Sequence, residues 1–235
     1  MARQKLVRFA ALENMPNVID GRRDRPGWFD DVFGLQSTVT VELGCGRGEY
    51  TLGLARRHPD RRFLGVDRNG GRLWNGAVAA LDEGLANAAF LRAPIEDIEG
   101  HIPPGRVADL WIPFPDPLPK RRQTQHRLVS PLFLERYRRL MAPGGSVHLK
   151  TDDAELVAFA EEAVRSVGGQ LLRAGNANAT DEDETAIQTT YERKYRTQGR
   201  TIYERQFLLP RVSRTGVHTT GRRNAVSSSS TLGGS

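Results

Sequence analysis

Cysteine is almost absent from this sequence of 235 residues, in which Cys45 stands alone. A single cysteine excludes a disulfide within the chain and any metal cage built from several thiolates. The five histidines have no paired spacing, and no carboxylate cluster has the pattern of a metal-binding loop. We therefore expect no metal site.

Long apolar runs are also lacking, since no stretch approaches the length that crosses a bilayer. The N-terminal residues 1–10 are basic, but neither an apolar stretch nor a small-residue cleavage site follows them, so they are not a secretory signal. We expect a cytoplasmic protein with no membrane partner. The chain is long enough for one substantial α/β domain with a hydrophobic core.

Basic residues outnumber acidic ones, which gives a net charge of +6 and a sequence pI of about 9.9. Such a charge favours anionic partners through long-range attraction. Between residues 117 and 139 a single acid, Glu135, stands among these basic residues: Lys120, Arg121, Arg122, Arg127, Arg136, Arg138 and Arg139. A solvated helix face would explain one such cluster. A second cluster, between Arg3 and Arg25, shifts the balance toward a polyanion.

From residue 38 onward, short β-branched segments alternate with helix-like segments of ten to fifteen residues. We predict strands over 38–43, 62–67, 88–91, 107–113 and 146–151, helices over 49–58, 71–83, 131–141 and 153–167, and extended segments over 187–195 and 201–209. This alternation predicts an α/β fold, with a mostly parallel sheet and helices on both faces. We predict a basic N-terminal arm over 1–37, one domain over 38–210 with a loop over 174–186, and a disordered basic tail over 211–235.

A glycine-rich segment, V-E-L-G-C-G-R-G-E-Y at Val41–Tyr50, follows a predicted strand and opens a predicted helix. Its glycines permit a tight turn and let a ligand lie against the backbone; they are Gly44, Gly46 and Gly48. In an open parallel sheet the ligand crevice lies at the carboxyl ends of the strands, where this turn falls. A dinucleotide fingerprint needs a third glycine three positions after the second, and this chain has Glu49 there.

Two acids lie at the turn itself: Glu42 precedes the glycines and Glu49 follows Gly48. Asp67 ends the second predicted strand 19 positions after Gly48. Acids at this point would repel a pyrophosphate but not a ligand that carries an ammonium and a sulfonium. Asp67 is well placed to accept hydrogen bonds from two ribose hydroxyls. The turn therefore predicts an S-adenosyl-L-methionine site rather than a dinucleotide site.

A proline-rich loop, P-F-P-D-P-L-P-K, follows the fourth predicted strand and covers residues 113–120. The prolines restrict the backbone and hold Asp116 with little freedom to lose on binding. Phe114 offers an aromatic face for a base, and a phosphate-binding run begins with Lys120, Arg121 and Arg122. The alternative is a rigid turn followed by an ordinary basic helix.

Together these motifs resemble the bacterial tRNA (guanine-N7)-methyltransferase family, which modifies the variable-loop guanine numbered 46. The shared motifs are V-E-L-G-C-G-R-G, F-L-G-V-D, P-D-P-x-P-K-R-R, H-R-L-V, P-G-G-S-V-H-L-K-T-D and T-T-Y-E-R-K-Y, all within residues 38–207. The resemblance implies a Rossmann-like class I methyltransferase fold with a seven-stranded sheet. It also implies S-adenosyl-L-methionine as cofactor and tRNA as partner. A monomer and a homodimer both remain open.

Carried over by position, the resemblance implies that Glu42 and Asp67 contact the cofactor. It implies that Asp116 is the active-site acid and also contacts the cofactor. It implies that the substrate base is contacted by Lys120, Asp152, Thr189 and Glu192. It implies that RNA is bound by Arg121, Arg122 and Arg127. Two positions depart from the family: Leu118 replaces its usual tryptophan, and Pro94 replaces an acid near the adenine, with Glu96 and Asp97 following.

The implied reaction needs no strong general base, because guanine N7 carries a lone pair and no proton. Catalysis would consist mainly of positioning, with Asp116 and Asp152 accepting hydrogen bonds from the guanine and offsetting its developing charge. Three alternatives stay open. They are a methyltransferase for a protein or small molecule, a nicotinamide oxidoreductase that the glycine spacing disfavours, and an RNA-binding module without activity that Leu118 and Pro94 would favour.

Overall fold

The computed structural model describes residues 12, 14–23, 25–176 and 187–210. The tail predicted over 211–235 lies outside the described residues, and so do residues 177–186 of the predicted loop and the arm residues Arg3, Lys5 and Arg8.

The described chain alternates strands and helices much as the sequence predicted. Its strands are β1 (Val18–Asp20), β2 (Val39–Leu43), β3 (Phe63–Val66), β4 (Ala88–Arg92), β5 (Val107–Pro113), β6 (Met141–Thr151), β7 (Gln170–Asn176) and β8 (Tyr203–Leu208). Its α-helices are α1 (Trp28–Phe33), α2 (Glu49–Arg57), α3 (Gly70–Asp82), α4 (Pro131–Leu140), α5 (Ala154–Ser166) and α6 (Thr190–Thr197). Two short 3-10 helices cover Ile95–Gly100 and Arg121–His126. No helix in this part of the chain is both long enough and apolar enough to cross a membrane.

The described strands form one sheet in the order β1-β4-β3-β2-β5-β6-β8-β7. The pairs from β1 through β6 are parallel, and β8 runs antiparallel to both β6 and β7. The predicted α/β fold with a mostly parallel sheet is thus confirmed. The sheet has one strand more than the seven predicted, because Val18–Asp20, within the segment predicted as an arm, pairs with β4.

The sheet order reverses between β2 and β5. From β2 the chain proceeds outward through β3 and β4, then returns to add β5 and β6 on the other side of β2. Such a switch point opens a crevice at the carboxyl ends of the two central strands. Because Glu42 of β2 is paired in register with Trp111 of β5, the two loops that follow these strands leave the sheet side by side.

Two apolar clusters cover the two faces of the sheet. Along β5, Leu110 and Ile112 belong to the cluster that holds the buried side chains of α1, α4 and α5, whereas Trp111 belongs to the cluster that holds those of α2 and α3. This alternation follows from the two-residue period of a strand that is buried on both faces. The helices predicted on both faces are therefore present.

One predicted element is wrong: residues 187–195 were expected to be extended, but they contain the start of α6. Thr189 caps this helix, and its Oγ1 accepts a hydrogen bond from the N–H of Glu192 at 3.2 Å. Thr or Ser followed three residues later by Glu is the signature of a capping box, which favours a helix start. The local capping outweighs the β-branched residues that favoured a strand.

Candidate active site

The glycine turn between β2 and α2 has the conformation that its sequence requires. The φ angles are 68° at Gly44, 56° at Gly46 and 72° at Gly48, a region that other residues avoid. A Cβ on Gly48 would also lie 2.6 Å from Cε1 of Phe90. By contrast, a Cβ on Gly44 would meet nothing within 4 Å, so the backbone there borders open space in which a ligand can lie.

Asp67 ties this turn to the end of β3. Its Oδ2 accepts the N–H of Gly46 at 2.8 Å, and its Oδ1 accepts the N–H of Asn69 at 2.7 Å. Each carboxylate oxygen has a second lone pair, so Asp67 can still accept hydrogen bonds from ribose hydroxyls. The structure therefore brings Asp67 and the glycine turn together, as a nucleoside-binding site needs.

Glu42 lies beneath the turn and is almost fully buried, with 3% of the residue exposed. Its Oε2 accepts hydrogen bonds from the N–H of Thr51 at 2.8 Å and from Thr51 Oγ1 at 2.5 Å. Burial raises the pKa of the Glu42 carboxyl to about 8, because the charged form loses its hydration. A cation placed beside Glu42 would favour ionisation, which suits the ammonium of the expected cofactor.

The proline-rich loop leaves β5 next to the glycine turn and is held at both ends. The N–H of Phe114 donates to the carbonyl of Lys150 at 2.7 Å, and Arg127 Nη2 donates to the carbonyl of Leu118 at 3.3 Å. Phe114 and Leu118 have positive φ angles of 50° and 45°. Each costs on the order of 1–3 kcal/mol, and such strain collects at functional sites.

Asp116 and Lys120 are exposed on this loop. Within the described part of the chain, neither side chain has a hydrogen-bond or ion-pair partner. The carboxylate and the ammonium are therefore available to an external ligand at the carboxyl ends of β2 and β5.

The predicted RNA-binding arginines separate into two kinds. Arg121 and Arg122 are exposed on the 3-10 helix that follows the loop. Arg127 is buried, with its guanidinium carbon 4.5 Å from the ring centroid of Phe159. Because Arg127 also donates to the carbonyl of Leu118, it supports the loop from within, and its contact with RNA stays a prediction.

A buried lysine that the sequence analysis did not single out lies behind the loop. Lys150, near the end of β6, is fully buried, and its Nζ is 2.8 Å from Oε2 of Glu192 and 3.4 Å from Oε1 of Glu204. Arg196 bonds the other oxygen of Glu192 at 2.7 Å. Glu192, expected as a base contact, therefore has cations of the protein at both oxygens.

Asp152 is linked to α6 through Arg200, and α6 is linked to the loop by an aromatic contact. Arg200 Nη1 lies 2.5 Å from Oδ2 of Asp152, and its guanidinium carbon is 4.8 Å from the ring centroid of Tyr195. The Tyr195 ring lies 5.8 Å from that of Phe114. Thr189, 8% exposed, caps α6 at the same edge. The predicted base contacts Asp152, Thr189 and Glu192 thus gather around one helix beside the loop.

The start of α6 also contacts the start of α2 through Glu49, one of the two acids at the glycine turn. Oε2 of Glu49 accepts the N–H of Thr190 at 2.7 Å, and Oε1 lies 3.0 Å from Arg193 Nη2. This contact places α6 against the glycine turn.

Among the residues that the structure describes, no group of His, Cys, Asp and Glu could hold a metal ion.

Known proteins are similar to this chain over most of its length. The family model described as "Putative methyltransferase" matches residues 36–205, more than half of the chain. The tRNA (guanine-N(7)-)-methyltransferase of Christiangramia forsetii is 38% identical over 221 residues, which cover 88% of this chain and 99% of the relative. The protein of the same name from Bacteroides thetaiotaomicron is 36% identical over 207 residues, covering 86% of this chain and 79% of the relative.

Solved structures share the fold. The 16S rRNA methyltransferase KamB superposes with a TM-score of 0.63 at 16% identity, over 80% of this chain and 95% of that chain. The 16S rRNA (adenine(1408)-N(1))-methyltransferase of Catenulisporales acidiphilia gives 0.59 at 16% identity, over 81% and 96% of the two chains. A variant of that enzyme, solved with its cosubstrate SAM, gives 0.60. These likenesses establish the class I methyltransferase fold.

Proposed function

The chain belongs to the family of the tRNA (guanine-N7)-methyltransferases, and on that premise we propose that it transfers a methyl group from S-adenosyl-L-methionine to N7 of the tRNA variable-loop guanine 46. The observation that carries this proposal is the pairing of β2 with β5, since it sets the glycine turn beside the loop of Asp116. Because its proposed substrate is tRNA, we place the enzyme in the cytoplasm. It would act as a monomer or a homodimer.

The residues around the glycine turn fit the proposed cofactor. Open space beside Gly44 leaves room for the ligand. Asp67 can accept hydrogen bonds from the ribose hydroxyls. The Glu42 carboxyl can ionise when the cofactor's ammonium lies beside it. Bound S-adenosyl-L-methionine supplies an activated methyl group. The protein's part is to hold that group in line with the attacking nitrogen.

The loop after β5 fits the proposed guanine. Asp116 is exposed and unpaired within the described residues, so its carboxylate can accept hydrogen bonds from the N–H groups of the base. Phe114 offers its ring for stacking, and Lys120 can reach the base or its phosphate. As N7 is methylated the ring becomes positive, and a fixed carboxylate stabilises that charge.

The α6 side of the site is proposed to act largely through placement. Glu192 is engaged by Lys150 and Arg196, so we assign it the role of fixing α6 rather than that of an exposed carboxylate. Thr189, at the start of α6, and Asp152, held by Arg200, are proposed to contact the base from the α6 side of the site. The exposed Arg121 and Arg122 are proposed to contact the RNA backbone.

The test is transfer of a radiolabelled methyl group to unmodified tRNA transcripts, followed by chain scission specific for 7-methylguanosine. We expect one scission site, at position 46. The matched control is the same transcript with adenine at that position, which should take up no label. Label on another base, or equal labelling of both transcripts, would contradict the proposal.

A further inference from the structure

Three arginines at the carboxyl edge of the sheet lack any acidic partner among the described residues. Arg47 lies in the glycine turn, Arg68 follows Asp67, and Arg72 lies in the first turn of α3; all three are exposed. Arginines elsewhere on the described surface are commonly paired with acids: Arg56–Glu83, Arg61–Asp109, Arg106–Asp30, Arg139–Glu99 and Arg205–Glu161. The unpaired arginines therefore concentrate positive charge beside the site.

These arginines belong to one surface, because their elements are in direct contact. The hydrogen bond from the N–H of Gly46 to Asp67 joins the glycine turn to the end of β3. The turn also packs on α3, where a Cβ added to Gly76 would lie 2.6 Å from the carbonyl oxygen of Arg47. We call the exposed side chains of Arg47, Arg68 and Arg72 the arginine surface.

Acids near the arginine surface form no ion pair with it among the described residues. The Asp67 carboxylate accepts hydrogen bonds from the backbone N–H groups of Gly46 and Asn69. The Glu49 carboxylate accepts hydrogen bonds from Thr190 and Arg193. The positive charge thus faces solvent, where a polyanion would be attracted.

The position of the arginine surface relative to Asp116 indicates what it binds. In the sheet, β3 and β5 lie on either side of β2, so their ends are separated by roughly 10 Å, twice the usual strand spacing. The residues Lys120–Arg122 follow the β5 loop and lead into a 3-10 helix that is followed by Arg127, which packs on Phe159 of α5. Because α5 follows β6, and β6 is the neighbour of β5 on the side away from β3, this basic segment extends away from the arginine surface. A nucleotide with its base at Asp116 has phosphates on both sides, and cations are available in both directions.

We propose that Arg47, Arg68 and Arg72 form a second phosphate-binding surface, which contacts the tRNA backbone on the side of the target guanine opposite Lys120–Arg122. This inference rests on the proposed function, since it names further substrate contacts for the same site. Its chemistry is the neutralisation of phosphodiesters, which positions an RNA without reading its sequence.

The experiment is the salt dependence of tRNA binding by the full chain, with a triple variant R47Q, R68Q and R72Q. The matched control is Arg62→Gln, because Arg62 is also exposed and unpaired among the described residues but precedes β3 at the opposite edge of the sheet. Each lost phosphate contact should lower the slope of log affinity against log salt by roughly 0.7–0.9. We expect the slope to fall by roughly 2–3 in the triple variant, which loses three contacts, and to stay unchanged in the control.

The outcomes separate this inference from the proposed function. If the unaltered protein methylates guanine 46 but the triple variant keeps its salt slope, the arginine surface does not bind tRNA and only the inference is overturned. A loss of S-adenosyl-L-methionine affinity by calorimetry, with an unchanged salt slope, would overturn it as well. If the unaltered protein methylates no tRNA, the proposed function is overturned, and this inference is overturned with it. Equal melting temperatures of the variants show that folding is intact.

Discussion

The carboxylate of Glu49 accepts the backbone N–H of Thr190 at 2.7 Å, across 141 positions of sequence. This hydrogen bond joins the first residue of α2, just after the glycine turn, to the first residue of α6. A carboxylate at a helix N-terminus is favoured by the unpaired N–H groups there. The cofactor side and the α6 side of the proposed site therefore share one fixed contact.

Replacing Glu49 with glutamine should weaken this contact, since the charge that holds Arg193 is lost. We expect KM for tRNA to rise about threefold to tenfold, because a loss near 1 kcal/mol corresponds to roughly fivefold. Cofactor affinity and melting temperature should change little. The comparison is Glu83→Gln, which removes an exposed pair with Arg56 away from the site and should leave KM unaltered. Equal effects of the two substitutions would show that Glu49 does not position α6.

Replacing the buried Lys150 should have a large effect on the stability of the fold. Lys150→Met should lower the free energy of unfolding by about 3–5 kcal/mol, because Glu192 and Glu204 would lose a buried cation. Urea unfolding measures this directly. Lys194→Met makes the same exchange on the exposed side of α6 and should cost less than about 0.5 kcal/mol. A small loss for Lys150→Met would mean that water reaches the pair.

Glu42 predicts a pH dependence of stability. Its pKa is raised from 4.5 to about 8 by burial, so the folded state holds a proton that the unfolded state releases above pH 4.5. The stability contributed by protonated Glu42 is complete below that value and is lost as the pH rises toward 8. The difference in unfolding free energy between the unaltered protein and Glu42→Gln should fall by up to about 1.4 kcal/mol per pH unit in this window. Parallel curves from pH 5 to 8 would show that Glu42 is ionised when folded.

The two kinds of arginine near the loop should respond differently. Arg127→Gln should lower kcat about tenfold and stability by about 1 kcal/mol, since the carbonyl of Leu118 loses its donor and the loop shifts. Its salt slope for tRNA binding should remain that of the unaltered protein. Arg122→Gln should do the reverse, lowering the slope by roughly 0.7–0.9 with stability retained. A lower slope for Arg127→Gln would show instead that Arg127 contacts RNA phosphate.

Periodic apolar patterns predicted the strands and helices that are buried. The segments around Leu110 and Phe90 alternate between two cores, and their residue types alone indicate such strands. By contrast, β7 is exposed along almost its whole length, so no apolar pattern marks it. The strand β1 has only three residues, too few to show a period.

The polar contacts of the site could be predicted only in part. The positions of the glycines and of Asp67 follow from local turn geometry and strand order, which short motifs encode. The pairing of Lys150 with Glu192 brings together distant residues of types that are seldom fully buried, so nothing in their local sequence reveals it. Glu49 and Thr190 are also distant in sequence, so nothing in their local sequence reveals their contact.

The most direct test of the account is single-turnover methyl transfer to tRNA by Asp116→Asn, with S-adenosyl-L-methionine affinity measured in parallel. Removing one fixed hydrogen-bonding group that stabilises transition-state charge costs about a hundredfold or more in rate, and we expect a loss of at least about that size. Cofactor affinity should stay within a few-fold of that of the unaltered protein, because the glycine turn, Glu42 and Asp67 are untouched. Transfer at the parent rate would contradict the claim that methylation takes place beside Asp116.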